Sequence, residues 1–409
     1  MPAYNVRDSN IALLGSDLER RVREHAGAKE SAWAKAGVQP GFQIWRVEKF
    51  AIVDCSDWVA HEKKYGTFYD GDSYIVLHTY QDGKDSPLRY DLHFWQGEHT
   101  TLDQAATAAF KAAELEEHLG SKVTQYREIQ NYESPRYLSY FPHFMILHGG
   151  VSTGWHNILT MLPEDEKKIY TMVTTRDKVL KTRSEDGKQL IVREIPLEGL
   201  AMRQGIVYVL DKGPLYWQYN TKKSTAWARY KAAEYMMYLG QWRVPQTKFQ
   251  VFGECIPRIY CDSVRINDNC VDEGTPDEGE FLQAAGITSP VMDIPLPPNQ
   301  GTPIDPPLLY RLIGDVHGWQ VVAVAAQKTS LQSDGVYILD DHAFPAVYTW
   351  LGKNVPEPRR RLALQYAQNY LNDKLAKEGE HVQVATTLVK VNEDVEPASF
   401  LDAFNPRTI

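Results

Sequence analysis

Cys55, Asp91 and His93 supply a thiol, a carboxylate and an imidazole, the set from which a nucleophilic triad can be built. No nucleophile elbow, Walker loop, dinucleotide fingerprint or His-Glu-x-x-His pair accompanies them, so catalysis is the weaker reading. The other three cysteines, Cys255, Cys261 and Cys270, crowd into one stretch. Without a Cys-x-x-Cys pair or a nearby histidine they read as unligated thiols rather than a zinc site. Asp268 to Glu280 offers carboxylates for a calcium loop, but Glu273 stands where an EF-hand turn needs glycine. What chemistry remains is that of binding surfaces.

The elements that must position such surfaces belong to a chain of 409 residues, long enough for two or three domains. Hydrophobic residues make up 43% and charged residues 24%, the composition of a folded globular protein. A net charge of −9 gives no general attraction to nucleic acid or anionic lipid. No apolar run approaches a membrane span and Met1 to Asn10 has no signal-peptide core, so a cytoplasmic protein is expected. Glu254 to Pro306 holds ten acidic and two basic side chains, a net of −8, and eight of the 23 prolines. Residues 255–306 therefore read as an extended acidic linker. Residues 1–40 read as an N-terminal arm, with Ser16 placed to cap a helix through Leu18, Val22 and His25.

One order of elements occurs three times. An aromatic opening strand (Phe42–Val47, Ile169–Val173, Leu309–Ile313) precedes a glycine-led strand bearing Tyr74, Tyr208 or Tyr337. A third strand carries Trp95, Trp217 or Trp350 near its end. A helix follows, at Thr101–Leu119, Ser224–Leu239 and Pro356–Leu375, and a closing strand at Thr124–Ile129, Lys248–Phe252 and His381–Val384. Strands with a helix packed across them describe an α+β domain, and three copies fit the length. The boundaries this gives are 41–153, 154–254 and 307–409.

In the first helix, Ala105, Ala108, Ala112, Leu115 and Leu119 share one arc that would pack on the sheet. Ala106, Ala109 and Ala113 continue the arc beyond what one sheet needs, and Phe110 projects at its edge beside Asp103 and Glu117. Small side chains around an aromatic suit close approach by another surface; folding of Phe110 back onto its own domain is the alternative.

Several motifs of the first repeat are similar to those of the gelsolin superfamily of actin-severing and actin-capping proteins, in its three-domain severin, fragmin and macrophage-capping-protein branch. They are Pro40-Gly41-Phe42-Gln43-Ile44-Trp45-Arg46-Val47, Gly71-Asp72-Ser73-Tyr74, Tyr90-Asp91-Leu92-His93-Phe94-Trp95, Gln125-Tyr126-Arg127-Glu128-Ile129-Gln130 and Gly149-Gly150-Val151. The resemblance implies three tandem gelsolin-like domains, each a central mixed β-sheet sandwiched by a long and a short helix. It implies a cytoskeletal, non-enzymatic protein that severs actin filaments and caps their barbed ends; capping or monomer binding without severing is the alternative. Actin contacts then fall at Ala106, Phe110, Ala113, Glu116, Glu133 and Trp155, with filament-side binding assigned to Gly154–Ile158.

The family's intradomain calcium site maps onto Gly71, Asp72 and Val151, but its helix glutamate is replaced by Gln104, which removes a charge and weakens the site. Glu116 matches a carboxylate that shares a second calcium with actin. In the second repeat Ile206 and Ala228 stand at ligand positions, and in the third Gly335 and Arg359, so neither should bind calcium. Calcium control is expected to be reduced or altered. The segment Pro142–His148, basic in the family, has no Lys or Arg here. Lys167, Lys168, Arg176 and Lys178 offer only a scattered patch, making phosphoinositide binding doubtful.

Overall fold

A computed structural model describes residues 30–405, except 61–63, 85, 121, 156–161, 164–165, 175–188, 214, 243–247, 250–269, 290, 294–305, 316–317, 342–345 and 379–385. The Ser16 helix, the strand expected at 381–384, Cys255 and Cys261 lie outside the described residues. In chain order, the first repeat supplies β1 (Gly41–Glu48), β2 (Ala51–Asp54), β3 (Thr67–Tyr69), β4 (Ser73–Tyr80), β5 (Arg89–Gln96), α1 (Leu102–Leu119), β6 (Val123–Ile129) and α2 (Pro135–Leu138). There follow β7 (His143–Leu147), β8 (Gly149–Gly150), β9 (Gly154–Trp155), β10 (Lys168–Thr174), β11 (Leu190–Ile195), β12 (Val207–Asp211), β13 (Leu215–Asn220), α3 (Ala226–Trp242), β14 (Lys248–Phe249), β15 (Cys270–Asp272) and α4 (Glu278–Ala285). The third repeat comprises β16 (Leu308–Asp315), β17 (Gly318–Val324), β18 (Val336–Asp341), β19 (Ala346–Leu351), α5 (Glu357–Arg360), α6 (Ala363–Glu378), β20 (Thr387–Asn392) and α7 (Ala398–Asp402). They divide between two units: Met1–Tyr65, Asp70–Tyr137 and Gln300–Ile409 in one, Gly66–Tyr69 and Leu138–Asn299 in the other.

The first unit is organised by one ten-stranded sheet, β17-β16-β18-β19-β20-β6-β5-β4-β1-β2, in which the first and third repeats each contribute five strands. They meet where β6 pairs antiparallel with β20, Tyr126 opposite Val389. Side chains reinforce the seam. Arg127 Nη1 donates to Gln368 Oε1 at 2.6 Å, Asn392 Nδ2 donates to the Val123 carbonyl at 3.1 Å, and Lys390 pairs with Glu116 at 2.7 Å.

Helix α1 begins where Thr101 and Gln104 form a reciprocal capping box and ends at Gly120, whose φ of 81° suits a residue without Cβ. Ala105, Ala108, Ala112 and Leu115 are buried on the sheet, the arc that periodicity marks. Lys111 is buried as well, which the hydrophobic pattern did not foretell. Its ammonium bonds Glu30 and Glu114, both at 2.9 Å, and these carboxylates outweigh the opposing effect of burial to hold its pKa above the ordinary lysine value. Glu30 opens a short helical turn whose Trp33 is buried edge-on against Trp45, ring centroids 5.1 Å apart. The described end of the arm is thus part of the first repeat's core.

In the second unit the path β14-β13-β12-β10-β11-β7-β3 is joined by β15, which pairs with β13. Ala228, Ala232, Met236 and Leu239 of α3 cover one face. The other is covered by α4, where Phe281 stacks on Tyr219 at 4.9 Å. This corrects the reading of 255–306 as an extended linker: Asn220 faces Asp272 as Gln96 faces Ile129, so β15 is a closing strand and α4 the short helix of the second repeat. Phe281, Ala285 and Ile287 are buried although Asp277 and Glu280 of the same segment are exposed. Each repeat accordingly has a mixed sheet between a long and a short helix.

Candidate functional site

The outward face of α1 carries Asp103, Ala106, Phe110, Ala113 and Glu117, spaced to form one stripe. Asp103, Ala113 and Glu117 are exposed, while Ala106 and Phe110 are half-buried. The opposite arc is locked in the core and the Thr101 box fixes the helix start, so the stripe stands on a rigid element. Apolar in the middle and acidic at both ends, it can enter an apolar cleft with cationic margins.

Two other residues expected in an actin contact sit differently. Glu116 is paired with Lys390 of β20, their side chains only 13% and 10% exposed. Glu133 is interior: its Oε1 accepts from the Trp95 indole at 3.2 Å and from the Asn131 backbone at 3.1 Å. It positions the β5 end and does not belong to the stripe. In the second unit Trp155 is 43% exposed and borders a hollow of about 340 Å³ with His148, Gly149, Thr153, Gly154 and Lys168. Lys168 is held by Glu194 at 2.6 Å and Lys167 donates to the Ala284 carbonyl at 2.9 Å, while β7 is buried along Phe144–Leu147. Arg176 and Lys178 lie outside the described residues.

The calcium positions can be tested against their donors. Asp72 is fully buried, and Gln104 is buried beside it. Gln104 Oε1 accepts the Thr101 backbone N–H at 3.3 Å, and its Nε2 donates to the Val47 carbonyl at 3.3 Å and lies 3.5 Å from Asp72 Oδ1. A backbone N–H can only donate and a carbonyl can only accept, so both ends of the amide are fixed. A donor faces the place where a cation would need an oxygen, and this set does not fit calcium. Gly71 lies in the turn before Asp72, and Val151 falls in the second unit. Ile206 and Ala228 are buried and apolar in the second repeat. In the third, Arg359 donates to the Leu312 carbonyl at 3.4 Å.

The thiol, carboxylate and imidazole of a possible triad have other surroundings. His93 is bound to Glu128 at 2.9 Å, and Asp91 accepts from Arg136 at 2.7 and 2.9 Å. Burial pushes the Cys55 thiol up to about 11, the opposite of activation.

A gelsolin repeat model matches residues 59–138 and 319–401. Gelsolin-like protein 1 of Lumbricus terrestris is 32% identical over 86% of this chain and 85% of its own length. The chain belongs to the gelsolin superfamily. Severin of Echinococcus granulosus is 27% identical over 90% of each chain. The solved Thorarchaeota 2DGel3/rabbit actin complex aligns at 18% identity over 59% of this chain and 100% of that one, with a TM-score of 0.21. Proteins of the gelsolin superfamily are actin-binding regulators and not enzymes, and this one is an actin-binding protein of that kind. Among the described residues no helix is long and apolar enough to cross a membrane.

Proposed function

We propose that this protein severs actin filaments and caps their barbed ends, in the cytoplasm and on the cytoskeleton, with reduced dependence on calcium. The observation that carries the reading is the α1 stripe: Ala106 and Ala113 allow close approach around Phe110, on a helix whose other face cannot turn outward. Filled by this helix, the cleft of a terminal actin subunit cannot accept the next subunit, which is capping by occlusion. Severing needs a second grip on the filament side, assigned here to the exposed Trp155 and its hollow. Two linked contacts act through effective concentration, so each can be weak alone. Glu116 reaches an actin-facing calcium only after exchanging Lys390 for it.

Microscopy of single growing filaments, with calcium and with chelator, tests this. Internal breaks and arrested ends in both conditions are expected. Arrested ends without breaks establish the alternative, capping without severing, and breaks only in calcium refute reduced calcium control.

A further inference from the structure

Gln104 is the third residue of its helix, counted from the Thr101 cap, and Arg359 is the third from its cap at Pro356. The carbonyls they reach are also equivalent. Arg46 faces Tyr74 across the sheet and Arg311 faces Tyr337, so the next residues, Val47 and Leu312, hold the same place in their repeats. In both repeats a donor from the first helical turn crosses to the opening strand, an amide in one and a guanidinium in the other. The second repeat has the apolar Ala228 at this point; Ile206 is buried too, and Thr221 Oγ1 donates to its carbonyl at 2.8 Å.

We infer that Gln104 and Arg359 are covalently built-in substitutes for a divalent cation, clamping to the opening strand the start of α1 in the first repeat and the short α5 that precedes α6 in the third. The clamp is permanent, which deepens, and rests on, the reading of reduced calcium control. The two repeats differ in what surrounds it. In the first, the carboxylate of Asp72 remains buried next to the amide; in the third, Gly335 replaces it and Asp334 is turned outward to Arg311. The first repeat is thus one substitution from a charged oxygen cage, and the third is not.

The test is thermal melting and calorimetric titration of the full chain with calcium chloride. Wild type should melt at one temperature in millimolar calcium and in chelator. Q104E places two carboxylates and a carbonyl together, so it should melt lower in chelator, recover in calcium, and bind calcium about tenfold or more tighter than wild type. Adding D72N should abolish that gain, and R359E should show none. Q104A, which folds without a new charge, should melt about 2–4 °C lower in both conditions. Calcium stabilisation of wild type that D72N removes would overturn the inference, as would an unchanged melting point for Q104A or a folded Q104E indifferent to calcium. Actin co-sedimentation of wild type is a separate readout, so failure of the clamp and failure of the actin reading are told apart.

Discussion

The first and third repeats share a sheet and a helix-to-strand clamp, yet present opposite outer faces. Counting from Gln104 and Arg359, the positions of Ala106, Phe110 and Ala113 are taken in the third repeat by Arg361, Gln365 and Gln368. Arg361 is exposed and charged, and Gln368 is buried against Arg127 at the seam. The inward positions remain apolar in both, Ala108 and Ala112 matching Ala363 and Ala367. Core packing constrains one face of a long helix and leaves the other free to vary, and the difference is what the docking role proposed for the first repeat requires.

The largest difference lies in the N-terminal turn that only the first repeat has among the described residues. Trp33→Ala removes a buried indole packed on Trp45 and should cost about 3–5 kcal/mol of stability, measured by urea unfolding. A loss near zero would mean that the arm is not part of the core. Lys390→Met leaves Glu116 without its ammonium and should weaken the seam by about 2–3 kcal/mol, read as faster hydrogen exchange in β6 and β20. Phe110→Asp should weaken barbed-end capping by about 2 kcal/mol, roughly 30-fold, in an elongation assay, while Gln365→Asp leaves it unchanged. Equal effects would erase the contrast between the two faces.

The smallest effect concerns acid. Asp91, at a position occupied by Ala346 in the third repeat, is fully buried; burial alone would raise its pKa, but His78 and Arg136 outweigh it and lower the value to about 2. Because the folded pKa lies below the unfolded one, this group stabilises the fold above about pH 4 and the contribution is lost as pH falls toward 2. Arg136→Gln should raise the acid-unfolding midpoint, at a cost near neutrality of about 1 kcal/mol, given the exposure of Arg136.

Local signals carried much of this into the sequence. The alanine arc of α1, its threonine cap and the tyrosine and tryptophan landmarks are legible because period and capping are short-range. Partners distant in the chain are not. Nothing near Lys111 announces Glu30, 81 residues earlier. Glu133 resembles a surface carboxylate until Trp95 is placed above it. Helix α4 is masked by composition, since Asp277, Glu278 and Glu280 outweigh the buried Phe281 and Ala285 in any average over the segment. Gln104 was legible as a missing charge, but the direction of its amide followed only from the backbone groups at either end.

The seam between β6 and β20 also sets a timetable for synthesis. Arg127 leaves the ribosome some 260 residues before Leu388, its partner across the strands. At about 5–20 residues per second that is roughly 13–50 s in which a bare strand edge waits for its neighbour. Throughout that interval the nascent first repeat offers a template for illegitimate pairing with other chains, so chaperone demand should peak before the last strand is made.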